Sequence, residues 1–308
     1  MNLKGRDFLT LKDFSTDEIN YLVDLGLDLK AKLKAGIPTP ILNGKSLGMI
    51  FQKSSTRTRV SFEVGMYQLG GQALFLSGHD LQIDRGEPIE DTARVLSRFL
   101  DGILIRTYSH EMVENLAKYA DCPVINGLTD DFHPTQVIAD LITIKEHKGT
   151  NKGLKFAYVG DGNNMTHSLM IGAAKVGMNF ASASPEGYMP HEDVVAYARE
   201  QAAQNGCTVE ITHDPFEAVA DADIVYTDTW ASMGQESEKE IRAKIFAPYQ
   251  INSKLMSTAK KDAIVLHCLP AYRGYEITTE VLEGPQSVVF DEAENRLHAH
   301  KAIMAAVL

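Results

Sequence analysis

Short runs of apolar residues alternate with longer amphipathic segments along most of the chain. The runs predicted to be strands are SLGMIFQ, QALFLS, GILIRT, LKFAYVG, DIVYTDT, AIVLHCLP and SVVFDEA. Apolar residues recur at helical spacing in PIEDTARVLSRFL, PTQVIADLITIKEHKG, THSLMIGAAKVG and EDVVAYAREQAAQNG. Strands that alternate with helices predict parallel sheets with helices on both faces.

A polar stretch, KGTNKG, follows the long helical segment over 134–147 and precedes a new strand. With the length of 308 residues, this predicts two domains, 1–148 and 149–308. We expect an α/β fold of two doubly wound parallel-sheet domains, with the active site in the cleft between them at the C-terminal ends of the strands. We also expect the C-terminal helix to pack back on the first domain.

Composition narrows the class of protein. The net charge of −11 argues against broad nucleic-acid binding. No apolar run approaches the roughly 20 residues that span a bilayer, and the N-terminal residues resemble neither a signal nor a transit peptide. Three scattered cysteines, Cys122, Cys207 and Cys268, form neither a disulfide framework nor a zinc set. The sequence therefore predicts a cytoplasmic protein that binds neither nucleic acid nor membrane.

The segment FQKSSTRTRVSFEVG, 51–65, places unusual charge at the start of a predicted helix. The helix should begin near Thr56, with Ser54 or Ser55 as its N-cap. Arg57 and Arg59 then lie in the first turn, where cations oppose the helix dipole. A bound phosphate would resolve this conflict, because amides, hydroxyls and guanidinium groups all bind anions. The alternative is an exposed charged turn. The segment is not a P-loop.

Other predicted strand ends also carry polar groups. GILIRT ends in Arg106, and DFHPTQ places His133 before a helix with Pro134 at its first position. His133 is equally consistent with a helix cap. YVGDGNNMTHS resembles a dinucleotide fingerprint, but Met165 replaces its third glycine and no clear acid follows the next strand, so we expect no nicotinamide cofactor.

Each of the later segments, taken alone, is consistent with more than one role. A strand ends at Asp228 and leads into Ser232, Met233 and Gly234, which suits either a mobile loop or a surface turn. Cys268 ends a buried strand, where core filling is the commoner role. His298 and His300 are two residues apart and point to different sides of a helix, so they cannot chelate one metal together. The sequence predicts no metal site.

Taken together, five motifs resemble the transcarbamoylases, and among them the ornithine carbamoyltransferases. They are SSTRTR at 54–59, HPTQ at 133–136, DTWASMG at 228–234, HCLP at 267–270 and FDEAENR at 290–296. The SMG loop and GDGNN, at 160–164, favour ornithine as the acceptor. One variation is Ala271, where some members of the family have arginine after the proline.

The resemblance implies transfer of a carbamoyl group from carbamoyl phosphate to the δ-amine of L-ornithine, with no cofactor and no metal. It implies that Arg57, Arg106, His133 and Cys268 are catalytic. The implied carbamoyl phosphate ligands are Ser55, Thr56, Arg57, Thr58, Gln82, Arg106, His133, Pro134, Thr135, Gln136, Cys268, Leu269 and Arg296. The implied ornithine ligands are Asn164, Asp228, Ser232 and Met233.

The resemblance also implies a homotrimer. The loop SGHDLQIDRGEP, 77–88, matches one that enters the neighbouring subunit's active site, with Gln82 as the contacting residue. Without the resemblance, this segment would be interpreted as an exposed polar loop.

Three alternatives stay open on the sequence alone. A transcarbamoylase for putrescine, acetylornithine or aspartate would share most of these motifs. A nucleotide-dependent dehydrogenase is disfavoured by the broken glycine pattern. A non-catalytic anion-binding regulator would have a similar phosphate pocket but no use for Cys268.

Overall fold

The computed structural model describes residues 1–231, 234 and 236–308. The predicted ornithine ligands Ser232 and Met233 lie outside the described residues. The chain forms two compact units: unit 1 comprises Met1–Ile142 with Glu294–Leu308, and unit 2 comprises Thr143–Ala293. The sequence placed the division near residue 148, whereas the units divide inside the helix that begins at Pro134.

Unit 1 contains a four-stranded parallel sheet in the order β2-β1-β3-β4. Its strands are β1 (Ser46–Phe51), β2 (Gln72–Ser77), β3 (Gly102–Arg106) and β4 (Val124–Leu128). Its helices are α1 (Thr16–Lys34), α2 (Thr56–Gln68), α3 (Ile89–Leu96), α4 (His110–Tyr119) and most of α5 (Pro134–Lys148), with short 3₁₀ turns at Leu11–Asp13, Gly78–Asp80 and Ile83–Arg85.

Register brings two strand ends of unit 1 together. Phe51, the last residue of β1, is paired with Arg106, the last residue of β3. The next amide, that of Gln52, donates to the Arg106 carbonyl at 2.9 Å. The start of α2 and the side chain of Arg106 therefore lie at the same edge of the sheet, where parallel α/β sheets hold their ligands.

Unit 2 contains a five-stranded parallel sheet in the order β7-β6-β5-β8-β9. Its strands are β5 (Lys155–Val159), β6 (Asn179–Ala183), β7 (Val209–Thr212), β8 (Ile224–Thr227) and β9 (Ile264–His267). The helices are α6 (Asn164–Val176), α7 (Glu192–Asn205), α8 (Pro215–Val219), α9 (Lys239–Phe246), α10 (Ser253–Met256) and α11 (Thr279–Leu282), and 3₁₀ turns span Glu236–Glu238 and Ala247–Tyr249. Thr227 pairs with His267, so β8 and β9 end side by side.

The last helix, α12 (Val289–Val307), confirms one prediction and corrects another. Its residues from Glu294 onward belong to unit 1, where Lys30 donates to the Asn295 side chain at 2.8 Å, so the C-terminal helix packs on the first unit as expected. The segment SVVFDEA, however, was predicted to be a strand, and this is wrong. Val289 begins the helix, because Asp291 and Glu292 in the first turn suit the helix dipole better than the β-branched run suits a strand.

Strands β4, β6 and β7 were absent from the sequence prediction. The sequences VINGL and NFASA contain Asn, Gly, Ala and Ser, which have low strand propensity. Their neighbours in the sheets, rather than local preference, determine their conformation. Across the described ranges, no helix combines the length and the apolar character needed to cross a bilayer.

Candidate active site

The first turn of α2 has features that are typical of anion-binding sites. Ser55 is the N-cap, and its hydroxyl accepts from the Thr58 amide at 3.2 Å. No acidic residue lies in the first turn, so the positive end of the helix dipole is not compensated by the helix itself. The first-turn amides and the half-buried Arg57 together create a locally positive site.

Arg59, in the same segment, has a different role. Its Nε donates to Glu63 at 3.0 Å, and its guanidinium group lies 3.6 Å from the centre of the Phe75 ring. The charge of Arg59 is therefore balanced on the helix surface and by an aromatic face. Of the two arginines that oppose the dipole, Arg59 therefore has a structural role, whereas Arg57 lies at the start of the helix close to His133.

Helix α12 supplies a further cation at this site. Arg296 donates through Nη2 to the Thr58 hydroxyl at 2.7 Å. Arg296 and Arg106 are only 4% and 5% exposed, and Thr58 is fully buried. Two guanidinium groups buried in one unit make its interior locally positive, which favours binding of an anion.

His133 is neutral in this environment. Burial lowers its pKa well below the ordinary value, and Arg296, Arg106, His300 and Arg57 lower it further. A neutral imidazole among three arginines donates one hydrogen bond without adding charge. It is therefore suited to polarise a carbonyl oxygen. Just beyond it, the Gln136 amide donates to Asp140 at 2.9 Å, in fully buried surroundings.

A side-chain hydrogen bond connects the loop 77–88 to the residue after β1. Gln82 is exposed, but Asp84 accepts from the Gln52 amide nitrogen at 2.8 Å. The Gln52 side-chain oxygen in turn accepts from the Thr107 hydroxyl. Gln52 therefore links the loop to the residue after Arg106. Sequence reasoning missed this link, because the partners are far apart along the chain.

In unit 2, three predicted or neighbouring residues meet at the ends of β5, β8 and β9. Asp228 accepts from the Cys268 thiol at 3.1 Å and from the Asn163 amide at 3.3 Å. Asn163 is also the N-cap of α6, accepting from Met165 at 2.9 Å, and Asn164 is the first helical residue. Sequence reasoning missed the contact of Asn163 with Asp228, because the two residues are 65 positions apart.

A buried arginine supports this part of unit 2. Arg242 donates to Asp161 at 2.7 Å and to the Trp230 carbonyl at 3.1 Å, and its Nε donates to Glu238 at 2.8 Å. Burial raises the pKa of Asp161, an effect that Arg242 opposes. Arg242 thus ties the turn before Asn163 to residues on both sides of 232–235. Sequence reasoning missed it, since only the Glu238 spacing is visible locally.

Asp228, His267 and Cys268 place potential metal-ligating atoms within 4.8 Å of one another. Both ring nitrogens of His267 are already used, because Nδ1 accepts from the Leu269 amide at 2.9 Å and Nε2 lies 3.1 Å from Glu276. The group therefore offers two ligand atoms rather than three. That is fewer than the protein ligands of the usual zinc sites.

Comparisons with known proteins indicate one family over nearly the whole length of the chain. Residues 6–146 match the family model for the aspartate/ornithine carbamoyltransferase carbamoyl-P binding domain, and residues 152–307 match that for the Asp/Orn binding domain. An ornithine carbamoyltransferase of Carboxydothermus hydrogenoformans is 62% identical, covering 99% of this chain and 98% of that protein. Another, of Anoxybacillus flavithermus, is 59% identical and covers 100% and 98%. The structure of the Pyrococcus furiosus ornithine carbamoyltransferase has a TM-score of 0.97 at 56% identity and covers 100% of this chain and 98% of that one.

Proposed function

The chain belongs to the aspartate/ornithine carbamoyltransferase family, and from this premise we infer that it is an enzyme that carbamoylates ornithine. It transfers the carbamoyl group of carbamoyl phosphate to the δ-amine of L-ornithine, giving L-citrulline and phosphate. At the site, the main support for this function is the neutral His133, which lies among Arg57, Arg106 and Arg296. A neutral donor among cations suits a substrate that has both a phosphate and a carbonyl group.

We assign the phosphate group of carbamoyl phosphate to Ser55, Thr56, Arg57 and Thr58. The first-turn amides of α2 and the dipole of the helix favour an anion there. Arg57 adds a guanidinium group whose planar donors match phosphate oxygens. The carbamoyl phosphate set further comprises Pro134, Thr135 and Gln136 at the start of α5.

We assign the carbamoyl oxygen to Arg106, His133 and Arg296, with the backbone of Cys268 and Leu269 assigned to the same substrate. Negative charge grows on this oxygen as the tetrahedral intermediate forms, so donors fixed beforehand stabilise the transition state more than the ground state. Because these side chains are buried, water weakens the interaction little.

We assign the amino-acid head of ornithine to Asn164, Asp228, Ser232 and Met233. The Asp228 carboxylate pairs with the α-ammonium group, and amide donors suit the α-carboxylate. Cys268, whose thiol proton faces Asp228, keeps sulfur lone pairs that accept a hydrogen bond from the δ-amine.

The nucleophile is the neutral δ-amine. Its pKa resembles that of lysine, ~10.4, so only one molecule in ~10³ is neutral at pH 7. The enzyme therefore gains by binding the free amine selectively. The departing phosphate accepts the proton that the attacking nitrogen loses, so no strong protein base is required.

We further propose a homotrimer in which Gln82 enters the neighbouring subunit's active site. Val60, Val64 and Tyr67 follow each other at helical spacing on α2 and are exposed, Tyr67 by 80%. Strand β2 lies at the edge of its sheet, with Leu74 and Phe75 partly exposed. An apolar helix face next to an open strand edge favours burial against a second copy. The proposal also includes a role in arginine metabolism and a cytoplasmic location. The location fits the three cysteines of the described residues, which form no disulfide.

A colorimetric assay for ureido products tests the function. Purified enzyme is supplied with carbamoyl phosphate and, in separate reactions, with ornithine, putrescine, acetylornithine or aspartate. We expect turnover with ornithine, and at least a hundredfold lower kcat/KM for the other amines, because each lacks a free α-amino-acid head or the δ-amine. Faster turnover of another amine would mean that this amine, rather than ornithine, is the substrate. Carbamoyl phosphate binding without any product would indicate a non-catalytic regulator.

A further inference from the structure

A fully buried histidine and a buried glutamate lie directly behind the turn at Cys268 and Leu269. His267 is the last residue of β9 and is 0% exposed, while Glu276 is 1% exposed. The His267 Nε2 atom lies 3.1 Å from the Glu276 Oε1 atom. Nothing in the assigned reaction uses either side chain, although the His267 ring contacts the turn that the proposed function places against carbamoyl phosphate and Glu276 contacts that ring.

The hydrogen bonds fix the tautomer of His267. The Leu269 amide donates to Nδ1 at 2.9 Å, so Nδ1 carries a lone pair and no proton. The ring proton therefore lies on Nε2, which donates it to Glu276. The same carboxylate oxygen accepts from the Tyr272 amide, so Glu276 orients both the ring and the chain that follows the turn.

The backbone of His267 is also fixed. Its amide donates to Glu292 at 2.8 Å, and Glu292 accepts from the Tyr226 hydroxyl at 3.1 Å. Neither the ring nor the main chain of His267 is therefore free to shift without breaking a buried hydrogen bond, which is unfavourable because a buried polar group is then left unsatisfied.

The turn itself needs this support. Leu269 has a φ of 56°, in the left-handed region that is strained and costs free energy for a non-glycine residue. The bond from its amide to Nδ1 is formed in this conformation and offsets that cost. The residue before it, Cys268, then points its thiol at Asp228.

We propose that His267, held in the Nε2–H tautomer by Glu276, is a positioning residue that sets the Cys268–Leu269 backbone for the carbamoyl group. The inference rests on the proposed function, because it deepens the role of the same turn. His267 transfers no proton, since both of its ring nitrogens are engaged in bonds that hold the turn.

Two variants separate the roles of the two ring nitrogens. In His267→Asn, the side-chain oxygen takes the place of Nδ1 and still accepts from Leu269. In His267→Gln, the longer amide reaches Glu276 but leaves the Leu269 amide without its acceptor. We expect His267→Gln to lose about 10²-fold in kcat, the scale of a small misplacement of reacting groups, with KM for ornithine changed less than threefold. His267→Asn should lose less than tenfold.

A matched pair at Glu276 tests the second contact. Glu276→Gln keeps an oxygen that accepts from Nε2 and from Tyr272, and should lose less than tenfold in kcat. Glu276→Leu removes both acceptors and should approach His267→Gln. A merely structural role predicts lower melting temperatures in all four variants but an unchanged kcat per folded enzyme, and that result would overturn the inference.

The tautomer is measured without any substrate. In protein labelled with ¹⁵N-histidine, the signals missing from His267→Asn identify His267 and should show unprotonated Nδ1 and protonated Nε2. A protonated Nδ1 would overturn the inference even if citrulline is formed. If the wild type forms no citrulline, the proposed function fails, whereas the ¹⁵N signals still decide the tautomer.

Discussion

Two arginines in one turn of α2 show how different the roles of identical residues are. Arg59 is balanced by Glu63 and the Phe75 ring. Arg57 lies close enough to His133 to lower its pKa. The sequence places both cations against the helix dipole, and only the side-chain contacts distinguish Arg59, with its structural role, from Arg57, which we assign to phosphate.

Replacing Arg57 tests the phosphate assignment. Arg57→Ala should lower kcat by roughly 10²–10³-fold, the effect of removing one transition-state donor, while the melting temperature changes little. Arg94→Ala is the control, because Arg94 pairs with Asp91 on the surface and should leave turnover unchanged. Steady-state kinetics and thermal unfolding provide both readouts. Unchanged turnover in folded Arg57→Ala would remove the assignment.

His133 and His300 make stability depend on pH. Burial and neighbouring arginines lower the pKa of both rings well below 6.5. Below pH 6.5 the unfolded chain binds protons that the folded chain does not, so the free energy of unfolding falls as the pH falls. Each ring should therefore destabilise the folded state as the pH falls below 6.5, by on the order of 1 kcal/mol per pH unit.

His300→Asn tests this effect. Nδ1 of His300 lies 2.7 Å from the Ser61 hydroxyl, and the asparagine amide preserves a donor there. Urea unfolding at pH 7.5 and pH 5.5 should show a smaller loss in the free energy of unfolding for His300→Asn than for the wild type, by on the order of 1 kcal/mol. His79→Asn, on the loop 77–88, should behave as the wild type. Equal losses in all three proteins would mean that His300 is protonated in the folded state.

At the scale of elements, the local sequence predicted which segments carry the site residues better than it predicted which of those residues contact one another. The N-cap at Ser55, the strand ending in Arg106 and the helix at Pro134 were visible from pattern alone. The contacts of Asn163 with Asp228 and of Arg242 with Asp161 join residues more than 60 positions apart. One sequence contains no signal for such pairs. The missed strand NFASA shows the same limit, because its conformation depends on its neighbours.

The turn GDGNN gives an element-scale prediction. A Cβ atom on Gly162 would lie 2.2 Å from the Pro190 nitrogen and 2.6 Å from the Tyr188 carbonyl, both backbone atoms. Gly162→Ala must therefore displace the turn that carries Asn163 and Asn164. We expect a loss of about 1–3 kcal/mol in stability and at least a tenfold higher KM for ornithine.

Gly149→Ala is the control for Gly162→Ala. Gly149 has a φ of 77° and open space around it, so alanine there adds backbone strain of about 1 kcal/mol without any clash. Its KM for ornithine should equal that of the wild type. If Gly162→Ala also keeps a normal KM, the position of this turn does not determine acceptor binding.

At the scale of the whole molecule, the question is whether one chain forms a complete active site or needs a residue from a neighbouring copy. The net charge of −11 repels substrate anions at long range, so binding depends on the local cluster of arginines. The exposed Gln82 on the loop 77–88 and the apolar face of Val60, Val64 and Tyr67 both favour a neighbouring copy. A homotrimer with shared sites stays a prediction.

Mixing two inactive variants tests whether sites are shared. Arg106→Ala destroys the pocket of its own chain, and Gln82→Trp places a bulky ring where the neighbour's site should receive Gln82. When the two are unfolded, mixed and refolded, some interfaces join an intact pocket from one parent to an intact loop from the other. In a ring of heterologous interfaces, random assembly of equal amounts restores about a quarter of the sites. Activity should therefore return to about a quarter of the wild-type value, although each parent refolded alone is inactive. If mixed trimers, verified by mass, stay as inactive as their parents, then Gln82 serves its own chain and each subunit builds its site alone.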